Sequence, residues 1–114
     1  MFIENKPDEI ELLSFFESEP VSFERENVSF LYTAKDQCGL SIDFSFSVIE
    51  GWVQYVIKLH DKEISHSAID GVSSFSIKRD NLGDYIYIEV VAEGTINEVE
   101  VRIRPDIKIS SVLR

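Results

Sequence analysis

Residues 40–48 read Leu40-Ser41-Ile42-Asp43-Phe44-Ser45-Phe46-Ser47-Val48, with five apolar residues alternating with four small or acidic ones. A period of two is what a strand requires when one face meets a core and the other meets water. The same period extends on both sides of this stretch. Upstream, Val21 and Phe23 alternate with Ser22 and Glu24, and Val28, Phe30 and Tyr32 with Ser29, Leu31 and Thr33. Downstream, Glu50-Gly51 turns the chain into Trp52–His60, where Val53, Tyr55, Ile57 and Leu59 share a face.

Shorter runs continue to the C-terminus. Asp61-Lys62-Glu63 reads as a tight loop before a strand at Ile64–Ile69, and Asp70-Gly71 as a hairpin signal before Val72–Lys78. Asp80–Asp84 reads as a five-residue turn, and Tyr85–Val91 as a strand with Ile86, Ile88 and Val90 inward. Val99, Val101 and Ile103 alternate with charged residues, Pro105 interrupts the ladder, and Ile107–Val112 reads as a last edge strand. Before all of these lies a short amphipathic helix over about residues 7–18. Asn5 stands near its N-cap, Pro7 in its first turn, an apolar stripe runs over Ile10, Leu12, Leu13, Phe15 and Phe16, and Glu19-Pro20 ends it.

The expectation is a mainly β fold, with seven to nine strands from about residue 21 to 112. No helical crossovers are present to make parallel pairs, so the strands should form an antiparallel meander closing into a β-sandwich or rolled barrel. The 114 residues fit one domain, 1–114, and a 13.1 kDa chain hides about two thirds of its unfolded surface on folding.

Charge narrows the function classes. There are 21 acids against 11 lysines and arginines, a formal charge of -10, which argues against nucleic acid or an anionic membrane as direct partner. Residues 1–26 hold eight acids against Lys6 and Arg25, a net of -6. Cys38 is the sole cysteine, so a disulfide within the chain is excluded, and the N-terminus lacks the basic and apolar regions of a secretory signal. A cytoplasmic protein is expected.

Catalytic groups do not converge in the sequence. His60 and His66, with Asp61, Glu63 and Asp70, have a metal-site composition but no fixed ligand spacing, so no metal and no cofactor are expected. Cys38 sits in a polar turn and reads as an incidental thiol. The serines read as wet strand faces, and the five glycines form no phosphate loop. A binding module is better supported. Trp52, Tyr85 and Tyr87 lie opposite the core-facing residues of their strands, where aromatics ringed by charge make interface anchors unless the helix covers them. Asp61, Glu63, Asp80 and Asp84 in turns, and Asp43 on a wet strand face, complete the candidate partner-binding set. Beside it stand three other readings: charge for solubility alone, a β-sandwich module binding a small molecule or carbohydrate through the aromatics, and a subunit pairing by its edge strand.

With its acidic N-terminal segment, compact β pattern, and stretches such as Val72-Ser-Ser-Phe-Ser-Ile77 and Asp84-Tyr-Ile-Tyr-Ile-Glu89, the chain resembles the immunity proteins of bacterial contact-dependent growth inhibition systems. The resemblance implies a non-catalytic cytoplasmic inhibitor that binds the toxin domain of a sibling effector and blocks its active site, as a monomer in a heterodimer. It implies a basic nuclease as the toxin, a ribonuclease rather than a deoxyribonuclease, whose phosphate-binding cleft an acidic surface would fill.

Overall fold

The alternation around Phe44 folds as expected. The computed structural model describes residues 2–113, save the side chains of Ala92 and Leu113. Among these, the elements are helix α1 (Glu9–Phe16) and strands β1 (Ser22–Glu24), β2 (Ser29–Lys35), β3 (Leu40–Ser47), β4 (Trp52–Leu59), β5 (Lys62–Ile69), β6 (Ser74–Asp80), β7 (Gly83–Ala92), β8 (Thr95–Arg102) and β9 (Lys108–Leu113). They form two antiparallel meanders, a five-stranded sheet in the order β1-β2-β3-β4-β5 and a four-stranded sheet in the order β6-β7-β8-β9. The sheets pack face to face as a sandwich, so the barrel alternative does not apply.

The core lies between the sheets. Ile42, Phe44 and Phe46 on β3 and Val53 on β4 are fully buried, facing Phe75, Ile86, Ile88 and Val101 from the other sheet. Phe75 meets Phe46 edge-on at 4.9 Å between ring centroids, and Phe44 at 6.1 Å. Edge-on rings gain about 0.5–1.5 kcal/mol beyond their buried area. Residues 3–5 stitch one end of the sandwich, where Ile3 N–H donates to Val48, Glu4 N–H to Ser73, and Phe75 N–H to the carbonyl of Asn5.

Helix α1 enters this core rather than lying on an outer face. Leu12, Phe15 and Phe16, spaced to share one side of the helix, are buried. Phe16 stacks on Tyr32 of β2 at 4.7 Å and meets Phe15 at 5.0 Å. The helix starts later than the sequence suggests, because Asp8 rather than Asn5 is its N-cap. The Asp8 carboxylate accepts from Glu11 N–H while Glu11 accepts from Asp8 N–H, a reciprocal capping box. It also ends before Glu19-Pro20, at a left-handed Glu17 (φ 58°), and Arg104 donates to the freed carbonyl of Phe15.

Three turns differ from expectation. The β4–β5 connection is the two-residue pair His60-Asp61 (φ 49° and 69°), not the loop 61–63, since two positive φ values match the twist of a tight hairpin. Asp80 pairs with Gly83, so that turn contains Asn81 and Leu82 instead of five residues. Asp70-Gly71 makes no hairpin. It carries the chain from one sheet to the other.

Candidate partner-binding surface

The eight sequence candidates divide between opposite faces of the sandwich. Asp43 and Trp52 lie on the outer face of the five-stranded sheet, with Asp61 and Glu63 at its β4–β5 end. Asp80, Asp84, Tyr85 and Tyr87 belong to the outer face and the β6–β7 end of the other sheet.

Three of the acids are already paired. Asp43 meets Lys58 at 3.0 Å, Asp84 meets Arg79 at 2.7 Å, and Asp80 receives both terminal nitrogens of Arg102. The guanidinium groups hold the carboxyls of Asp80 and Asp84 below the usual range. Asp61 and Glu63 are in no ion pair among the described residues.

The aromatics are half-buried and already partnered. Lys78 Nζ stands 3.8 Å from the Tyr87 ring centroid, and the Arg102 guanidinium 4.5 Å from that of Tyr85. Partial burial, then the carboxylates of Glu98 and Glu89, push the Tyr87 hydroxyl up to about 12. A cation thus occupies one face of each of these two rings. Trp52 differs: its indole N–H donates to Glu50 at 3.2 Å, and its strand register runs across to Ser47, Ser29 and Glu24. It thus shares a face with the acidic N-terminal region.

The two histidines do not form a site. The ring of His60 packs against Gly39, where a Cβ would come within 2.5 Å of its Cε1, and His66 pairs with Val56 along β5. Among the described residues, the acidic group tight enough for a metal is Asp36, Cys38 and Asp106. Its geometry has another account. Asp36 accepts three backbone N–H groups, and Cys38 Sγ donates to Asp106 at 3.4 Å. That hydrogen bond and the charge of Asp106 push the thiol up, which disfavours the nucleophilic thiolate.

A concave apolar groove of about 390 Å³ opens between α1 and the β1–β2 edge. Leu13, Phe23, Phe30 and Tyr32 line it, with Ile10 at the mouth and Glu9 and Glu19 on the rim. Ile10 is 77% exposed, Leu13 43%, Val21 62% and Phe23 50%. Tyr32 is 1% exposed, and its hydroxyl, which bonds to no described residue, is not among the buried polar atoms left without a partner. Burial first, then the nearby charges of Glu9 and Glu19, push its pKa up.

Over its whole length the chain is similar to a chain in the solved contact-dependent growth inhibition toxin–immunity protein complex from Klebsiella pneumoniae 342. The two are 72% identical, all of each chain is covered, and the TM-score is 0.96. No protein-family model matches, and no curated protein does. This chain belongs to the immunity proteins of contact-dependent growth inhibition systems.

Sequence reading missed the groove of this immunity protein. The periodicity places Ile10 and Leu13 in one broad helix stripe with Leu12, Phe15 and Phe16, and Val21 and Phe23 on one face of a strand. The structure buries Leu12, Phe15 and Phe16 and leaves the other four out. The available signal was a surplus: five apolar residues in two turns make a stripe wider than one helix face buries. As a member of this family the chain is a non-catalytic inhibitor, not an enzyme.

Proposed function

We propose that this immunity protein binds a cognate toxin domain and neutralises it by laying an acidic surface over a basic active site. The toxin is a nuclease, a ribonuclease rather than a deoxyribonuclease, and the encounter takes place in the cytoplasm. The observation that carries this reading is the distribution of uncompensated charge. Of the eight acids in residues 1–26, Glu17 contacts Arg104 at 3.5 Å, whereas Glu4, Glu9, Glu19, Glu24 and Glu26 are in no ion pair among the described residues. Carboxylates free of ion pairs present to a phosphate-binding cleft the charge it is built to receive. The Klebsiella complex, whose components are a toxin and an immunity protein, supports a toxin as the partner. Among the described residues, no helix is long and apolar enough to cross a membrane.

The toxin domain of the Klebsiella complex serves as the probe. Stopped-flow association between about 50 and 300 mM salt should slow at least tenfold, with dissociation changing far less. An association rate indifferent to salt defeats electrostatic docking. Adding equimolar immunity protein should abolish RNA cleavage by the same toxin, and a toxin that cleaves no RNA removes the ribonuclease assignment.

A further inference from the structure

We propose that the groove between α1 and the β1–β2 edge seats one arginine side chain of the toxin, and that this contact anchors the complex. The inference rests on the toxin-binding reading above and names the place and chemistry of its centre. Ile10, Leu13 and Phe23 are exposed and line one groove together, and such apolar clusters mark interaction sites. The groove offers three kinds of contact together. Leu13 and Ile10 present aliphatic surface for a methylene stem, the half-exposed Phe23, backed by Phe30, presents a ring, and the exposed Glu9 and Glu19 present acceptors.

Tyr32 adds a polar group to the groove wall. Its hydroxyl bonds to no described residue and is not among the buried polar atoms left without a partner, so it meets solvent in the groove. A donor entering the groove can bond to it. Guanidinium combines every property required: a planar cation that stacks on aromatic rings, five N–H donors for two carboxylates and a hydroxyl, and weak hydration that lowers the cost of leaving water. Lysine has the charge and the stem but not the plane.

Other occupants fit less well. A second copy of this chain brings the same -10 charge and the same acidic rim, so like charges oppose self-docking. An anionic membrane is repelled for the same reason.

The test uses the full immunity protein and the toxin domain of the Klebsiella complex. Dissociation constants are measured for the unaltered chain, for Glu9→Gln/Glu19→Gln, for Phe23→Ala, and for Asp70→Asn/Glu93→Gln as a control removing equal charge elsewhere. All four changed groove and control acids are exposed, and Phe23 is half-exposed, so thermal unfolding should stay near that of the unaltered chain. The groove carboxylate pair should weaken binding at least thirtyfold and Phe23→Ala at least tenfold, with the control within threefold. Phenylglyoxal labelling of the toxin, mapped by mass spectrometry, should show an arginine protected by the unaltered chain and unprotected by Glu9→Gln/Glu19→Gln. Tight binding with groove variants within threefold overturns the groove and leaves toxin binding standing. Equal losses in groove and control variants, or no arginine whose protection depends on the groove, also overturn it. Failure of the unaltered chain to bind overturns the underlying reading instead.

Discussion

Asp36 offers a quantitative test of how this sandwich is closed. One carboxylate oxygen accepts from Cys38 N–H and Leu40 N–H, both at 2.9 Å, and the other accepts from Ile107 N–H at 3.0 Å. The first two bonds shape the β2–β3 turn. The third crosses to the segment leading into β9, so one side chain joins the two sheets. In Asp36→Ala the Cys38 amide is exposed and rehydrates, whereas the part-buried Ile107 amide loses its acceptor. A hydrogen bond to a charged group contributes about 1.5–3 kcal/mol, and an orphaned buried donor costs about 1–3 kcal/mol. With one bond fully lost and two partly replaced by water, the expected loss is about 2–3 kcal/mol, or about 8–15 °C in Tm.

The pH dependence has a definite sign. Partial desolvation raises the Asp36 carboxyl, but the amides of Ile107, Cys38 and Leu40 outweigh it and hold the group below its ordinary value. A depressed folded-state pKa stabilises the fold above the unfolded value of about 3.9, and that stabilisation disappears as pH falls through the lower folded value. The gap between the unaltered chain and Asp36→Ala should therefore be full at pH 7 and shrink below about pH 4. Urea unfolding followed by Trp52 fluorescence at pH 7 and pH 2.5 measures both. A gap under about 0.5 kcal/mol at pH 7, or one that widens on acidification, refutes the reasoning.

Two further outcomes follow from packing and charge. Phe16→Ala removes a buried ring stacked on Tyr32 and should cost about 3–5 kcal/mol in urea unfolding; because an eight-residue helix is not stable unsupported, toxin affinity should fall with it, and unchanged stability would place the helix outside the core. Arg102→Ala leaves Asp80 without its cation and uncovers Tyr85, so Tm should fall by a few degrees at low salt and less at high salt, and a salt-independent change would rule out the ion pair as its cause.

What could be read from the chain follows from how local each determinant is. The strand alternation through Phe44 and Ile88 depends on neighbours two residues apart, so core and strands are visible in sequence. Turn length depends on φ signs that residue identity only biases. His60 and Asp61 adopt positive φ without glycine, so residue identity there does not distinguish a two-residue hairpin from a longer loop. Asp70-Gly71 has hairpin chemistry, but the fate of the chain after it depends on which sheet the next strand joins, a long-range choice. The division of the eight candidate residues between two faces has the same origin, since alternation shows that Tyr85 and Trp52 both face outward but not that they face away from each other.

The exposed apolar groove and the acidic charge explain each other when taken together. Apolar side chains such as Ile10 and Phe23, left in water beside an open groove, invite association between copies of the same chain. A formal charge of -10, concentrated in the segment that forms the groove, opposes that association at every approach. A basic partner meets the opposite situation: the field draws it in, and desolvation at Ile10, Leu13 and Phe23 then holds it. Charge and apolar surface act at different stages, the first on encounter and the second on residence. Neutralising the rim should therefore slow association and also weaken the chain's resistance to pairing with itself, a coupled outcome that charge serving solubility alone does not localise to the groove.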